Sequence, residues 1–148
     1  MTFRSFMHDA LREAEVAAHE NEVPVGAVIV RDHTVIAACH NTMEQMKNPV
    51  AHAEMLAIQQ ACRILGQHRL DDCDLYVTLE PCPMCAQAIS FARIQRVYFA
   101  AYDPKGGGVD NGPRIFQQSS CHYTPEIYGG ILETESKQLL RTFFKKLR

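Results

Sequence analysis

The sequence predicts an α/β fold: a three-layer α/β/α sandwich with helices on both faces of one central, mixed, five-stranded sheet. Three observations carry this. Apolar residues recur at helical spacing at both ends of the chain. Short β-branched runs lie between those helices. Between residues 74 and 102 a strand, a helix and a strand follow so closely that the two strands should be parallel, joined by a right-handed crossover. A length of 148 residues, 47% hydrophobic and 22% charged, suits one domain, residues 1–148, with a sizeable core.

The elements follow in order. Phe6, Ala10, Leu11, Ala14, Ala17 and Ala18 recur at helical spacing and predict a first helix over about residues 3–20. Residues 25–30 and 34–39 are β-branched runs around Arg31-Asp32-His33 and read as a hairpin. Residues 40–50 read as a polar loop containing Pro49. A helix over about 52–65 is closed by Gly66. Residues 74–79 are a strand. Pro83 suits the first position of a helix that runs to about Arg93, and 96–102 is the next strand. Residues 103–125 are rich in Gly and Pro and form a long loop of the kind that often carries function. A short strand is expected near Ile127. The last helix, about 133–147, has Leu139, Leu140, Phe143, Phe144 and Leu147 as its apolar face.

Composition narrows the setting. No apolar run approaches the ~20 residues of a membrane span, so no membrane partner is expected. The first nine residues mix Phe with Arg, His and Asp, unlike a signal peptide, so a cytoplasmic protein is expected. Its six cysteines are then expected to be thiols or metal ligands rather than disulfides. Cys39, Cys62, Cys73 and Cys121 read as small buried hydrophobes. The net charge of −2 announces no nucleic-acid partner. Residues 141–148, however, hold Arg141, Lys145, Lys146 and Arg148 with no acid. Such a local patch suits phosphate binding, although a solvated last helical turn carries cations in the same way.

The chemistry lies in His52-Ala53-Glu54 and Pro81-Cys82-Pro83-Met84-Cys85. His-x-Glu alone is weak, with roughly 0.5 occurrences expected by chance, whereas Pro-Cys-x-x-Cys is expected roughly 0.01 times. Both open a predicted helix. A Cys-x-x-Cys at a helix start also reads as a redox pair, but a disulfide exchanger has no use for Glu54. His52, Cys82 and Cys85 offer zinc three ligands and leave one position open for chemistry. Helix N-termini favour thiolates, and two thiolates with a neutral imidazole balance Zn²⁺. The open position would take a water whose pKa falls to about 7. Glu54 lies about 200° around a helix from His52, so it is not a co-ligand. At a frayed first turn it could still reach the water as a proton shuttle, a role typically worth ~10²–10⁴-fold. The plainer role is a helix-dipole acid, worth under about 1 kcal/mol. A fourth protein ligand (Cys73, His40 or His68) would make the site structural, but none has zinc-ribbon spacing.

With these residues the sequence resembles the zinc-dependent nucleobase deaminases of the cytidine-deaminase-like superfamily, whose signature is H-x-E followed by P-C-x-x-C. Within it, the bacterial tRNA adenosine deaminases are the most similar. The matching segments are Glu22-Val23-Pro24-Val25-Gly26-Ala27-Val28, Ala51-His52-Ala53-Glu54, Leu75-Tyr76-Val77-Thr78-Leu79-Glu80-Pro81-Cys82, Arg93-Ile94-x-Arg96-Val97 and Phe143-Phe144 before basic residues. Asp103-x-Lys105 also fits, while Pro104 and Gly106-Gly107-Gly108 depart from the pattern. The resemblance implies a cytidine-deaminase-like fold, a homodimer and one Zn²⁺ per subunit. It implies hydrolytic deamination of adenosine to inosine at the wobble position of a tRNA anticodon stem-loop, with attack at C6 and loss of ammonia. Asn41 would hydrogen-bond the purine and Val25 would line the base pocket; on residues alone, Asn41 could be a turn residue and Val25 core. Asp103, Lys105, Arg141, Lys145 and Lys146 would meet RNA. A base must leave its stack to reach a buried metal, and a loop nucleotide does so at least cost. The alternative is a deaminase of a free nucleobase or nucleoside (guanine, cytosine or cytidine) with the same zinc chemistry. The basic C-terminal end separates the two, because a small substrate does not need it.

Overall fold

The computed structural model describes residues 5–147. Residues 3 and 4 of the expected first helix, and Arg148 of the basic end, lie outside the described residues. The elements are α1 (Met7–His19), β1 (Gly26–Arg31), β2 (Thr34–His40), α2 (Met43–Met46), α3 (Ala53–Leu65), β3 (Asp74–Leu79), α4 (Pro83–Ala92), β4 (Arg96–Ala101), β5 (Glu126–Gly129) and α5 (Glu133–Lys146). The sheet runs β2-β1-β3-β4-β5. β1 is antiparallel to both β2 and β3, whereas β3, β4 and β5 are parallel. The mixed five-stranded sheet expected from the sequence is therefore present, including the parallel β3–α4–β4 unit. The β1–β2 connection is a two-residue turn at Asp32 and His33, with φ of 50° and 60°, the mirror-image turn whose twist matches a hairpin.

Strand alternation sorts the core into two layers. Ala27, Ile29, Leu75, Val77, Val97 and Phe99 face α3 and α4, meeting Ala53, Ala57, Ala61, Ala86 and Ile89. Val28, Val30, Tyr76 and Ala100 face α1, meeting Phe6, Met7, Ala10 and Leu11. α5 packs beside α1 and over β3 and β4. With both faces covered, β1 is buried along almost its whole length. Gly26 allows α1 to lie directly on the sheet: a Cβ there would stand 2.0 Å from the Ala10 carbonyl oxygen and 2.6 Å from Ala14 N. Among the described residues no helix is long and apolar enough to cross a membrane.

Residues 40–50 are not all loop. Met43–Met46 form a helical turn that carries no periodic signal of its own. Buried Glu22 stabilises it from a distance, its carboxylate accepting the Glu44 and Gln45 N–H groups at 3.1 and 2.8 Å. The other cysteines are free thiols. Cys73 is buried, while Cys39, Cys62 and Cys121 are half-buried against the same core. Burial pushes Cys39 up to about 11 and Cys73 up to about 12, so neither behaves as a thiolate.

His40 closes the open end of β2 onto α1. Its Nδ1 lies 2.9 Å from Glu13 Oε1 and its Nε2 lies 2.9 Å from Glu20 Oε2. Burial opposes the charged ring, but the two carboxylate hydrogen bonds outweigh it and raise its pKa above 6.5. Only imidazolium can donate from both nitrogens. A raised folded-state pKa means that the clamp stabilises fully below the unfolded value of about 6.5 and fades as pH rises through the folded value. Thermal melts should therefore show wild type ahead of His40→Gln at pH 6, with the gap closing by pH 9. A gap that widens with pH would exclude the clamp.

Candidate active site

His52 and Cys82 are the N-caps of α3 and α4, both in extended backbone, with φ, ψ of −75°, 149° and −71°, 170°. Each carbonyl accepts the first helical hydrogen bond, from Leu56 and Ala86 respectively. Pro83 occupies the first turn of α4, where its missing N–H leaves nothing unsatisfied. The two helices start side by side. His52 Nδ1, Cys82 Sγ and Cys85 Sγ all lie within 4.8 Å of one another, with Nδ1 at 3.6 Å from each sulfur. Among the described residues no fourth His, Cys, Asp or Glu joins this group. His40 is held by Glu13 and Glu20, and Cys73 bonds Asp72.

Glu54 lies in the first turn of α3, where the sequence expects it, and is only 4% exposed. His52 precedes it as a cap in extended backbone, so the rotation of about 200° between such residues of a regular helix does not apply to this pair. The turn is held rather than frayed: Asn41 Oδ1 accepts the Ala53 N–H at 2.8 Å. Asn41 is itself buried, and its N–H donates to the Val25 carbonyl at 3.1 Å. Asn41, Val25 and the start of α3 thus form one contiguous unit. Val25 belongs to the core cluster.

The electrostatics fit a cation. The Cys85 thiol donates to Cys82 and pulls the Cys82 thiol down to about 4, assisted by His52 against the cost of burial. The same hydrogen bond, together with burial, raises Cys85. The two sulfurs would hold a divalent cation as thiolates, since a metal ligand must be deprotonated and the cation would favour loss of the remaining thiol proton. The Cys82 hydrogen bond raises His52 against burial. Burial pushes Glu54 up to about 7, and the Cys82 charge adds to this. Two sulfurs and one imidazole nitrogen, converging with no fourth donor among the described residues, match the donor set and the open position of a catalytic zinc.

The chain after β4 wraps against this site. Buried Glu80, just before Pro81-Cys82, accepts N–H bonds from Asp103, Val109, Asp110 and Asn111. Sequence inspection did not single out this residue. Its signal is an acid at the end of a core strand, but its partners lie more than 20 residues away. The hydrogen bonds hold its carboxyl below the ordinary range despite burial. Asp103 Oδ1 accepts the Lys105 and Gly106 N–H groups, so it shapes the turn that presents Lys105. Asp103 and Lys105 line a groove of about 660 Å³ with Leu79, Tyr102, Leu140 and Phe144. Arg141 and Lys145 line the adjoining surface around the same Leu140 and Phe144. Lys146 is exposed on α5 but borders neither groove. Four of the five expected RNA-contact residues therefore share one apolar, basic-edged face.

Comparison with known proteins agrees with this geometry. Residues 2–101 match the cytidine and deoxycytidylate deaminase zinc-binding region. The chain is 53% identical to the tRNA-specific adenosine deaminase of Agrobacterium fabrum, over 97% of this chain and 94% of that protein. A solved structure from a study of A-to-I editing by tRNA:A34 deaminases at the wobble position superimposes with a TM-score of 0.90 at 53% identity, covering 91% of this chain and 98% of that one. The guanine deaminase of Bacillus subtilis gives a TM-score of 0.65 at 33% identity, over 98% and 95%. The chain belongs to the cytidine and deoxycytidylate deaminase zinc-binding family, on the branch of the tRNA-specific adenosine deaminases.

Proposed function

We propose that the protein is a zinc-dependent hydrolase that converts adenosine to inosine at the wobble position of a tRNA anticodon loop, with residues 1–148 as one deaminase domain. The observation that carries the chemistry is the convergence of three zinc donors beside a buried carboxyl. The substrate class is supported by kinship and by the apolar face edged with Lys105, Arg141 and Lys145.

His52 Nδ1 and the Cys82 and Cys85 sulfurs would hold one Zn²⁺ per subunit. When bound, the ion supplies Lewis acidity that makes water nucleophilic near neutral pH. The rest falls to the chain. Burial keeps Glu54 near pKa 7, suited to taking a proton from water, passing it to a purine ring nitrogen and later protonating the departing amine. Water and adenosine then give inosine and ammonia. Asn41, its oxygen committed to Ala53 N, meets the base as a donor through its amide NH₂. Val25, whose carbonyl accepts the Asn41 N–H at 3.1 Å, lines the base pocket beside it. The test is an anticodon stem-loop with a wobble adenosine, run beside free adenosine, guanine and cytosine. Inosine should form in the RNA alone. Turnover of free guanine without RNA conversion would replace this reading with that of a base deaminase.

The same reading makes the protein a homodimer in the cytoplasm, where tRNA is found. Phe91 on α4 is 70% exposed and Ile64 on α3 is 57% exposed, on neighbouring helices of one layer; such side chains suit a subunit interface. Sedimentation should give twice the chain mass for wild type and the single mass for Phe91→Glu. A monomeric wild type would refute the dimer.

A further inference from the structure

We propose that Glu80 is a positioning residue for substrate: by gripping the chain on both sides of the turn at 103–108, its carboxylate holds Lys105 at the rim of the apolar groove. This rests on the reading of the protein as an RNA deaminase. Glu80 Oε1 accepts Asp103 N–H at 3.0 Å and the Asn111 side-chain amide at 2.7 Å. Oε2 accepts three consecutive backbone N–H groups, from Val109, Asp110 and Asn111, at 3.1, 2.9 and 3.1 Å. Successive N–H groups converging in this way form an anion nest, here filled by the chain's own acid. The side chain therefore ties down both ends of the turn that carries Lys105.

The intervening glycines make the close approach feasible. Gly108 N–H donates to the Pro81 carbonyl at 2.8 Å. A Cβ on Gly108 would stand 2.6 Å from Pro83 N, and one on Gly107 would stand 2.5 Å from Glu80 Oε2 and 2.6 Å from the Asp103 carbonyl oxygen. Gly107 thus lies against Glu80, while Gly106 lies on Asp103 and Gly108 on the Cys82–Pro83 backbone. None of the carboxylate's hydrogen bonds goes to His52, Cys82 or Cys85. Its loss should act on RNA binding, not on the metal.

Glu80→Gln tests this selectively. One amide oxygen can keep the nest, but the NH₂ then faces two donors, Asp103 N–H and the Asn111 side-chain amide, and loses both bonds. The KM for the anticodon stem-loop should rise about tenfold or more, with kcat within about twofold and zinc still at one per chain. In a double-mutant cycle, Lys105→Ala should raise KM little further once Glu80→Gln is present. Gly107→Ala pushes the loop off Glu80 from the other side and should give the same KM signature; it decides the matter if Glu80→Gln fails to fold. Loss of zinc, a fall in kcat at unchanged KM, or multiplying effects of Glu80→Gln and Lys105→Ala would each overturn the proposal. If wild type converts no wobble adenosine, it is the functional reading that falls.

Discussion

Glu54→Gln should abolish turnover while leaving a folded, zinc-loaded protein. Glutamine has nearly the same shape, so a residue only 4% exposed can be replaced without opening a cavity. What it removes is the exchangeable proton. Loss of a general acid–base group costs about 10²–10⁴-fold, and a shuttle that serves every proton transfer of the reaction should stand at the upper end. Stability separates this role from the plainer one. Were Glu54 kept for the helix dipole, its neutral replacement would weaken α3 by up to about 1 kcal/mol and leave turnover alone. Were it kept for chemistry, stability should hold or rise, because burial already disfavours its charge and a neutral amide avoids that cost. Steady-state assays with metal analysis and a thermal melt read all three quantities. Retained turnover in a zinc-loaded variant would remove Glu54 from the mechanism.

The residues that announce the site are those whose chemistry is local. His52, Cys82 and Cys85 are legible because three apolar-flanked metal donors at helix starts are rare in any chain. The major helices and strands are legible for a related reason: Gly66, Pro83 and the 3.6-residue apolar spacing mark α3 and α4, while alternation marks β3. Contacts bridging long stretches of sequence are not visible in this way. α2 has only four residues and depends on Glu22, about twenty positions earlier. The Glu80 nest gathers N–H groups from residues 103–111. His40 reads as a polar loop residue or a spare metal donor until the fold brings Glu13 and Glu20 to its two nitrogens. Asn41 was assigned to the base, but its oxygen also holds the start of α3. The tie from Asn41 to the helix start is visible only in the folded backbone. Parallel pairing of β5 with β4 is likewise a property of the crossover, not of Glu126–Gly129 itself.

Cys82→Ser should strip the metal and, with it, the coupling between the two helices. Serine is among the better N-caps, so the start of α4 should survive. The change is therefore confined to the donor atom. The Cys85 hydrogen bond draws the native Cys82 thiol well below the usual thiol range, so it gives up its proton to a metal readily, whereas a serine hydroxyl remains protonated and is a poor partner for zinc. Two ligands should not retain the ion against a chelator. Turnover should then be undetectable. The energetic consequence follows from linkage: an ion present at about 1,000 times its Kd stabilises the fold by about 4 kcal/mol. In a chain of this size that is a shift of roughly 8–16 °C in Tm. Wild type should melt lower by that amount when chelator is added, and Cys82→Ser should melt low with or without it. Because His52 caps α3 and Cys82 caps α4, hydrogen exchange should quicken at both helix starts together in the variant, near Glu54 and near Cys85. Quickening at α4 alone would mean that the metal does not bridge the helices, and full zinc occupancy in Cys82→Ser would exclude its sulfur as a ligand.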